Sequence, residues 1–181
     1  MENTNIEIRN IIKEDCEIIS EAFKKQNWNK PIELYHIYLK EQYEGKRITL
    51  VLYYESEFAG YLTILWNSEY SFFHENSIPE IQDLNVLIKF RKRGIATKLM
   101  EHAENIISKK SNIVGIGVGL TSDYGNAQRL YIRRSYLPDG KGISQNGEYL
   151  SWGKEIIIND DLVLYLSKEL NNNVVSKNTK K

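Results

Sequence analysis

The feature that most constrains the fold is a run of residues that changes character twice within fourteen positions. Leu84 to Ile88 is mostly apolar, residues 89–93 are mostly basic, and an amphipathic helical pattern begins after Gly94. A buried strand that leads through a short turn into a helix is typical of α/β proteins. Glycine has no Cβ, so a ligand could approach the backbone closely at this junction.

The same junction is suited to bind an anion. The first turn of a helix presents unpaired backbone N–H groups and the positive end of the helix dipole. Arg91, Lys92 and Arg93 add positive charge there. We therefore expect a pyrophosphate site. The spacing differs from a P-loop, because no G-x-x-x-x-G-K-[ST] occurs. It also differs from the dinucleotide fingerprint, which needs three glycines where this loop has one.

A second motif follows downstream, and together the two resemble motifs A and B of the GNAT acetyltransferases. Motif A, Arg/Gln-x-x-Gly-x-Gly/Ala, is matched by Arg91-Lys92-Arg93-Gly94-Ile95-Ala96, which follows a strand ending Leu84-Asn85-Val86. Motif B is matched by Asn126-Ala127-Gln128-Arg129-Leu130-Tyr131. The order of elements fits that family from about residue 6 to about residue 168.

This resemblance implies an α/β fold with a central mixed, mostly antiparallel sheet flanked by helices and splayed between its fourth and fifth strands. It also implies acetyl-CoA as co-substrate. No cluster of residues has metal-ligand spacing, so we expect no metal. The cofactor-binding residues that the resemblance implies are Val86, Leu87, Ile88, Arg91, Lys92, Arg93, Gly94, Ile95, Ala96, Thr97 and Asn126.

Acetyl transfer needs a donor for the developing oxyanion and an acid for the departing thiolate. The resemblance implies that a backbone N–H near Val86 or Leu87 is the oxyanion donor. It also implies that Tyr131 is the general acid, since a phenol with a pKa near 10 is protonated at neutral pH. The alternative for Tyr131 is a core aromatic, because it shares one helix face with Ala127 and Leu130.

Two carboxylates, Glu80 and Asp83, are the candidates for the base that takes the proton of the amine. Relatives carry acids at these points of the motif A strand. On a regular strand the two would point to opposite faces, so at most one would reach the amine. Ordered water is the third candidate, and either residue could instead be a surface carboxylate.

Three glycines alternate through a later strand, at Gly115, Gly117 and Gly119. Residues spaced by two line one face of a strand, so that this face lacks side chains. Glycine inside a strand often marks the close approach of a ligand or another backbone. The stripe fits either the pantetheine arm or a tightly packed helix.

The composition excludes several classes of protein. With 24 basic and 24 acidic residues, the chain has no general attraction to nucleic acid or to a membrane surface. A single cysteine, Cys16, rules out an internal disulfide and suits a reducing compartment. No basic leader and no apolar run of about 20 residues is present, so we expect a cytoplasmic protein with no membrane span.

The chain length suits one domain, expected over residues 1–170, and we expect the polar tail over 171–181 to be unstructured. We expect an irregular loop over 67–79. We also expect a turn at Pro138-Asp139-Gly140, and capping of the motif B helix by Ser122 or Asp123.

The expected function is direct acetyl transfer from acetyl-CoA to a primary amine, with a small-molecule amine as partner. Aromatic and acidic side chains in the second helix and in the 67–79 loop suit a cationic acceptor. They equally suit a dimer interface, so a homodimer stays open. The sequence does not choose among a small amine, an aminoglycoside-like drug, an amino acid and a protein N-terminus. The alternative is a non-catalytic acyl-CoA sensor on the same fold.

Overall fold

The structure, a computed structural model, describes residues 5–170 of the 181-residue chain. The strands are β1 (Ile6–Asn10), β2 (Arg47–Tyr54), β3 (Glu57–Leu65), β4 (Glu80–Val86), β5 (Ile113–Gly119), β6 (Leu137–Gln145), β7 (Glu148–Tyr149) and β8 (Leu162–Glu169). The helices are α1 (Lys13–Lys24), α2 (Ile32–Tyr43), α3 (Ser71–Glu75), α4 (Ile95–Ile107) and α5 (Gly125–Arg133).

One sheet contains these eight strands, in the order β1-β2-β3-β4-β5-β8-β6-β7. Neighbouring strands are antiparallel except β4 and β5, which are parallel. A parallel pair needs a long crossover connection, and α4 provides it. The mixed, mostly antiparallel α/β fold expected from the sequence is confirmed.

Helices cover both faces of the centre of the sheet. Phe23 of α1 and Tyr35 of α2 pack their rings against Tyr61 of β3, at centroid distances of 5.8 and 5.5 Å. Side chains alternate along a strand, so the buried Leu62 and Ile64 point to the opposite face, where α4 contacts β3. We call the two sides the α1/α2 face and the α4 face.

The segment 67–79, which the sequence predicts as an irregular loop, contains α3. Tyr70, Phe73 and Ile78 from this segment form a second, smaller core. A helix of five residues is too short to show a clear apolar period, so the sequence pattern missed it.

Two further local predictions are wrong. Pro138-Asp139-Gly140 lies within β6, where a shift of register accommodates the left-handed φ of Gly140 (82°). A short 3₁₀ turn over Ser122–Tyr124 precedes α5, and Tyr124 occupies the N-cap position without a side-chain cap. The Asp123 carboxylate instead accepts a hydrogen bond from Thr121.

The predicted polar tail over residues 171–181 lies outside the described residues. Within residues 5–170, the structure contains no helix that is long and apolar enough to cross a membrane.

Candidate active site

A cleft opens where β4 and β5 separate. Glu80 is in register with Gly115 and Ile81 with Ile116, and the ladder between the two strands ends there. Beyond this point β4 remains paired with β3, and β5 with β8. The expected splay between the fourth and fifth strands is therefore present, and the facing backbone groups of β4 lack a partner strand.

Val86 presents a backbone N–H to this cleft. The N–H of the next residue, Leu87, donates to the Ala59 carbonyl at 2.9 Å. Hydrogen-bonded and non-hydrogen-bonded pairs alternate along an antiparallel ladder. Leu87 and Ala59 form a hydrogen-bonded pair, so the adjacent pair of Val86 and Gly60 is a non-hydrogen-bonded one. The N–H and C=O of Val86 therefore point away from β3. Of the two expected oxyanion donors, only Val86 has its N–H available.

The loop after β4 has a fixed backbone path. It starts with a 3₁₀ turn over Ile88–Phe90, and the Ile88 N–H donates to Gln26 Oε1 at 3.0 Å. Lys92 and Gly94 both have left-handed φ values, 62° and 76°. A residue with a Cβ is strained at the φ of Gly94, so the backbone favours glycine here, and the absence of a side chain leaves room for a ligand.

The loop delivers the chain into the N-terminus of α4. The side chain of Ile95 is buried, which anchors the start of the helix. The first intrahelical hydrogen bond runs from the Lys98 N–H to the Gly94 carbonyl at 3.0 Å. The N–H groups of Ile95, Ala96 and Thr97 therefore precede the helical hydrogen-bond pattern and can donate to an anion. The three basic side chains of the loop are exposed around them.

Aromatic rings fill the glycine stripe of β5. A Cβ on Gly115 would lie 2.2 Å from the ring of Phe73, and one on Gly119 would lie 2.5 Å from the ring of Tyr124. A Cβ on Gly117 would lie 2.8 Å from Val163 and 3.1 Å from Tyr165, both side chains of β8. The stripe thus admits side chains from α3, from β8 and from the turn before α5. The structure places these rings, and not open space for pantetheine, on that face.

Asp83 is held by four side-chain donors. Its Oδ1 accepts from Lys30 Nζ and Asn85 Nδ2, each at 2.8 Å, and its Oδ2 accepts from the hydroxyls of Tyr38 at 3.0 Å and Tyr61 at 2.5 Å. Burial alone would raise the pKa of the Asp83 carboxyl, but Lys30 and the phenols lower it below its usual value. This carboxylate is saturated and weakly basic.

A β-bulge changes the direction of the Asp83 side chain. Asp83 has a left-handed φ of 53°, and the ladder to β3 shifts register here. The Tyr38 ring lies 4.5 Å from the guanidinium of Arg47, which donates to Gln82 Oε1 at 3.2 Å. Gln82 and Asp83 therefore both face α2, as does Glu80. The expectation that the two acids point to opposite faces is wrong, because the strand is not regular.

Glu80 lies at the closed end of the cleft and is nearly inaccessible, with 4% of its surface exposed. Ser68 Oγ donates to its Oε2 at 2.5 Å. Burial raises the pKa of the Glu80 carboxyl, and hydrogen bonds from Ser68 and Gln82 offset only part of that effect. A carboxylate with a raised pKa is the more effective proton acceptor near neutral pH.

Helix α5 carries the second motif. Tyr131 is buried, and its ring centroid lies 6.1 Å from that of Tyr136. Burial raises the pKa of the Tyr131 phenol, and the neighbouring Tyr124 raises it further, so the group is protonated at neutral pH. Asn126 is exposed in the first turn of the helix.

Tyr124 connects α5 electrostatically to β4. Its hydroxyl lies 3.2 Å from Asp160 Oδ1. Burial raises the pKa of the Tyr124 phenol, and the charges of Asp160, Asp123 and Asp83 raise it further. The charge of Asp83 in β4 therefore acts on the Tyr124 phenol at the start of α5.

Sequence reasoning missed Lys30, Tyr38 and Tyr61, which surround Asp83. Lys30 precedes Pro31 in a connection without periodicity, and 53 residues separate it from Asp83, so no local pattern links the two. Of the aromatic side chains expected near the acceptor, Tyr35 of the second helix and Tyr70 and Phe73 of the 67–79 segment are buried in the core. Within residues 5–170, no three His, Cys, Asp or Glu side chains come together in a metal-binding arrangement.

The fold is similar to several solved structures. One is the acetyltransferase of Salmonella typhimurium that modifies the N-terminal serine of 50S ribosomal subunit protein L7/L12. It has a TM-score of 0.67 and 15% identity, over 93% of this chain and 96% of that chain. YncA of Salmonella typhimurium, with its cofactor acetyl-CoA, has a TM-score of 0.66 and 14% identity, over 93% and 95%. RimL, the ribosomal L7/L12 α-N-protein acetyltransferase, in complex with coenzyme A has a TM-score of 0.65 and 14% identity, over 93% and 95%.

A search of curated proteins found no significant match to this chain. The sequence model of the Acetyltransferase (GNAT) family, in contrast, matches residues 7–136. This span begins in β1, includes both motifs and ends just after α5. The chain therefore belongs to the GNAT acetyltransferase family.

Proposed function

We propose that this protein is an N-acetyltransferase that transfers the acetyl group of acetyl-CoA directly to a primary amine. The observation that carries the proposal is the cleft between β4 and β5. It has an available strand N–H at Val86 and leads to a glycine-started helix surrounded by three cations. Membership of the GNAT family and the coenzyme A and acetyl-CoA bound in similar structures support it.

In this proposal, the pyrophosphate of acetyl-CoA binds the N–H groups of residues 95–97 together with Arg91, Lys92 and Arg93. The pantetheine arm follows the open edge of β4 past Val86. Leu87 and Ile88 contribute through groups other than their N–H, because both N–H groups are already bonded. Asn126, exposed on α5, hydrogen-bonds the arm from the other side.

The chemical step has two protein donors. The amine nitrogen attacks the thioester carbon while the Val86 N–H stabilises the charge that develops on the carbonyl oxygen. The C–N bond forms, the C–S bond breaks, and Tyr131 gives its proton to the departing thiolate. The raised pKa of the Tyr131 phenol keeps that proton in place before the reaction.

Glu80 is the preferred base, and it acts through an intervening water. The raised pKa of Glu80 favours proton uptake. The Asp83 carboxylate instead accepts hydrogen bonds from Lys30 and two phenols, which lower its pKa. Asp83 thereby holds Lys30, Tyr38 and Tyr61 in place at the acceptor site. Two carboxylates whose environments push their pKa values in opposite directions take different roles.

The proposed acceptor is a small-molecule primary amine, cationic before it loses its proton. The nearby carboxylates and the phenol rings of Tyr38 and Tyr124 favour a cation. One similar structure belongs to an enzyme that modifies a protein N-terminal serine, so peptides with a free N-terminus are the second class to test.

The test is CoA release from acetyl-CoA in the presence of a panel of amines: polyamines, aminoglycosides, amino acids and N-terminal peptides. Release that depends on one class of amine, with mass-spectrometric detection of the N-acetylated product, is the expected result. Tight CoA binding without release from any amine would favour the acyl-CoA sensor. Absence of CoA binding would overturn both.

A further inference from the structure

Two arginines of the loop between β4 and α4 rest on aromatic rings that neither motif contains. The Arg91 guanidinium carbon lies 5.3 Å from the ring centroid of Trp28. The Arg93 guanidinium carbon lies 5.3 Å from that of Tyr54 and 5.8 Å from that of Phe90. All three distances fall within the range of cation–π attraction.

Neither guanidinium is neutralised by the protein. Among residues 5–170, Arg91 and Arg93 form no ion pair, whereas Arg9, Arg47 and Arg134 each pair with a carboxylate. Stacking uses the flat face of a guanidinium and leaves its N–H edge free to donate. The two side chains are therefore held in place while their donors stay available for an external anion.

The two rings are themselves fixed. Trp28 stacks on Phe23 of α1, with ring centroids 5.7 Å apart and an angle of 9° between the planes, and its backbone N–H donates to the Phe23 carbonyl at 3.0 Å. The Tyr54 ring packs against Phe90, with centroids 5.6 Å apart.

The rings also approach the loop from opposite sides of the sheet. Trp28 follows α1 and so belongs to the α1/α2 face. The hydroxyl of Tyr53 donates to Asp15 of α1 at 2.6 Å, so the alternation of side chains directs Tyr54 to the α4 face. The loop is thus supported on both faces of β4 where it leaves the strand.

We propose that Trp28 and Tyr54 are positioning residues for phosphate recognition: each holds one loop arginine ready to bind the phosphates of CoA. The inference rests on the proposed function, because CoA is the anion concerned. Long arginine side chains lose rotamer freedom when they bind a ligand, and part of that loss has already occurred when the guanidinium is stacked. Trp28 and Tyr54 thereby increase affinity without touching the cofactor.

Two double-mutant cycles test this, with CoA as the titrant in calorimetry. The first uses Trp28→Leu, Arg91→Met and the double variant, and the second uses Tyr54→Leu, Arg93→Met and the double variant. We expect each single substitution to weaken CoA binding by roughly 3- to 10-fold. Each double variant should lose little more than its Arg→Met variant, because the ring acts through that arginine.

Conservative variants and a second ligand separate positioning from general structural damage. Trp28→Phe and Tyr54→Phe keep an aromatic face and should retain most of the CoA affinity. Pantetheine has no phosphate, so its weaker binding should be unchanged in all variants. Trp152→Leu, at an exposed tryptophan, is the matched control and should bind CoA as the wild-type protein does.

The outcomes are distinguishable. Losses that add within each cycle, or that are equal for CoA and pantetheine, would overturn the inference while leaving the proposed function intact. Absence of CoA binding by the wild-type protein would overturn both. Since Trp28 also packs on Phe23, Trp28→Leu could destabilise the fold. The Tyr54–Arg93 cycle does not touch that stack and is decisive by itself.

Discussion

Glu80 and Asp83 lie three residues apart on one strand and face the same helices, yet their surroundings act in opposite directions. Glu80 accepts a short hydrogen bond from a neutral hydroxyl, and burial raises its pKa. Asp83 meets an ammonium, an amide and two phenols, which together lower its pKa despite burial. Burial raises the pKa of both carboxyls, and the number and charge of the donors around Asp83 reverse that effect.

The opposite pKa shifts indicate which of the two acids can accept a proton. A carboxylate whose lone pairs are all occupied, one of them by Lys30, has little tendency to accept a proton. A buried carboxylate whose hydrogen-bond donors are neutral, as those of Glu80 are, has its pKa raised toward neutral pH. We therefore propose that Glu80 accepts the proton of the amine and that Asp83 holds the side chains around the acceptor site in place.

The largest expected effect is on catalysis. Glu80→Gln should lower kcat by roughly 10²- to 10⁴-fold with an active amine, because the variant keeps the shape but removes the proton acceptor. CoA affinity should be unchanged by calorimetry. Glu75→Gln is the matched control, since Glu75 is an exposed acid in the segment before β4. Wild-type kcat in Glu80→Gln would move the role of base to water.

The next effect is on stability. Asp83→Asn should lower the free energy of unfolding by roughly 2–4 kcal/mol, because it leaves Lys30 partly buried without its counter-charge. Urea denaturation measures this difference. Adding Lys30→Met should restore part of the loss. A variant as stable as the wild-type protein would show that the four contacts on Asp83 contribute little.

The two acids should also respond oppositely to pH. The pKa of Asp83 is lowered below its ordinary 3.8, so its stabilisation is complete above that value and is lost as pH falls through the folded pKa. The pKa of Glu80 is raised above its ordinary 4.5, so its stabilisation is present below that value and is lost as pH rises through the folded pKa.

Denaturation of the wild-type protein and both variants across pH 3–8 measures these trends. The stability gap between the wild-type protein and Asp83→Asn should shrink toward the acid end. Glu80→Gln should gain stability relative to the wild-type protein as pH rises. Parallel curves for the two variants would contradict the division of roles.

The smallest effect concerns the donor to Glu80. Ser68 Oγ lowers the pKa of Glu80, so Ser68→Ala should raise that pKa further. The acid limb of the kcat/KM profile should move to higher pH, while the plateau rate changes by less than about tenfold. An unmoved limb would mean that another group controls it.

Local patterns predicted much of the fold. The amphipathic pattern after Gly94 predicts a helix, and α4 begins there, at Ile95. The junction at Gly94 was also predictable, because strand, turn and helix signals coincide there. Short elements such as α3 carry too few residues for a period, and the Pro138–Gly140 segment shows that turn residues also occur at irregularities inside a strand.

The candidate site was less predictable, for a physical reason. Its roles depend on partners that are distant in the chain: Lys30 and Tyr61 reach Asp83 across 53 and 22 residues. The bulge that turns Asp83 toward them has no signal in the sequence, since aspartate is not required at a left-handed φ. The Ser68 contact that distinguishes Glu80 likewise arises from the path of the loop before β4.

We propose a phosphate site where the loop enters α4. The most direct test compares CoA binding by the wild-type protein with CoA binding by Gly94→Trp. No atom lies within 4 Å of the position of a Cβ on Gly94, so the variant has room to fold despite its left-handed φ. Its indole would project into the proposed phosphate site. Calorimetry should show one CoA bound to the wild-type protein and none to a folded Gly94→Trp. Equal affinity in the two proteins would contradict the account.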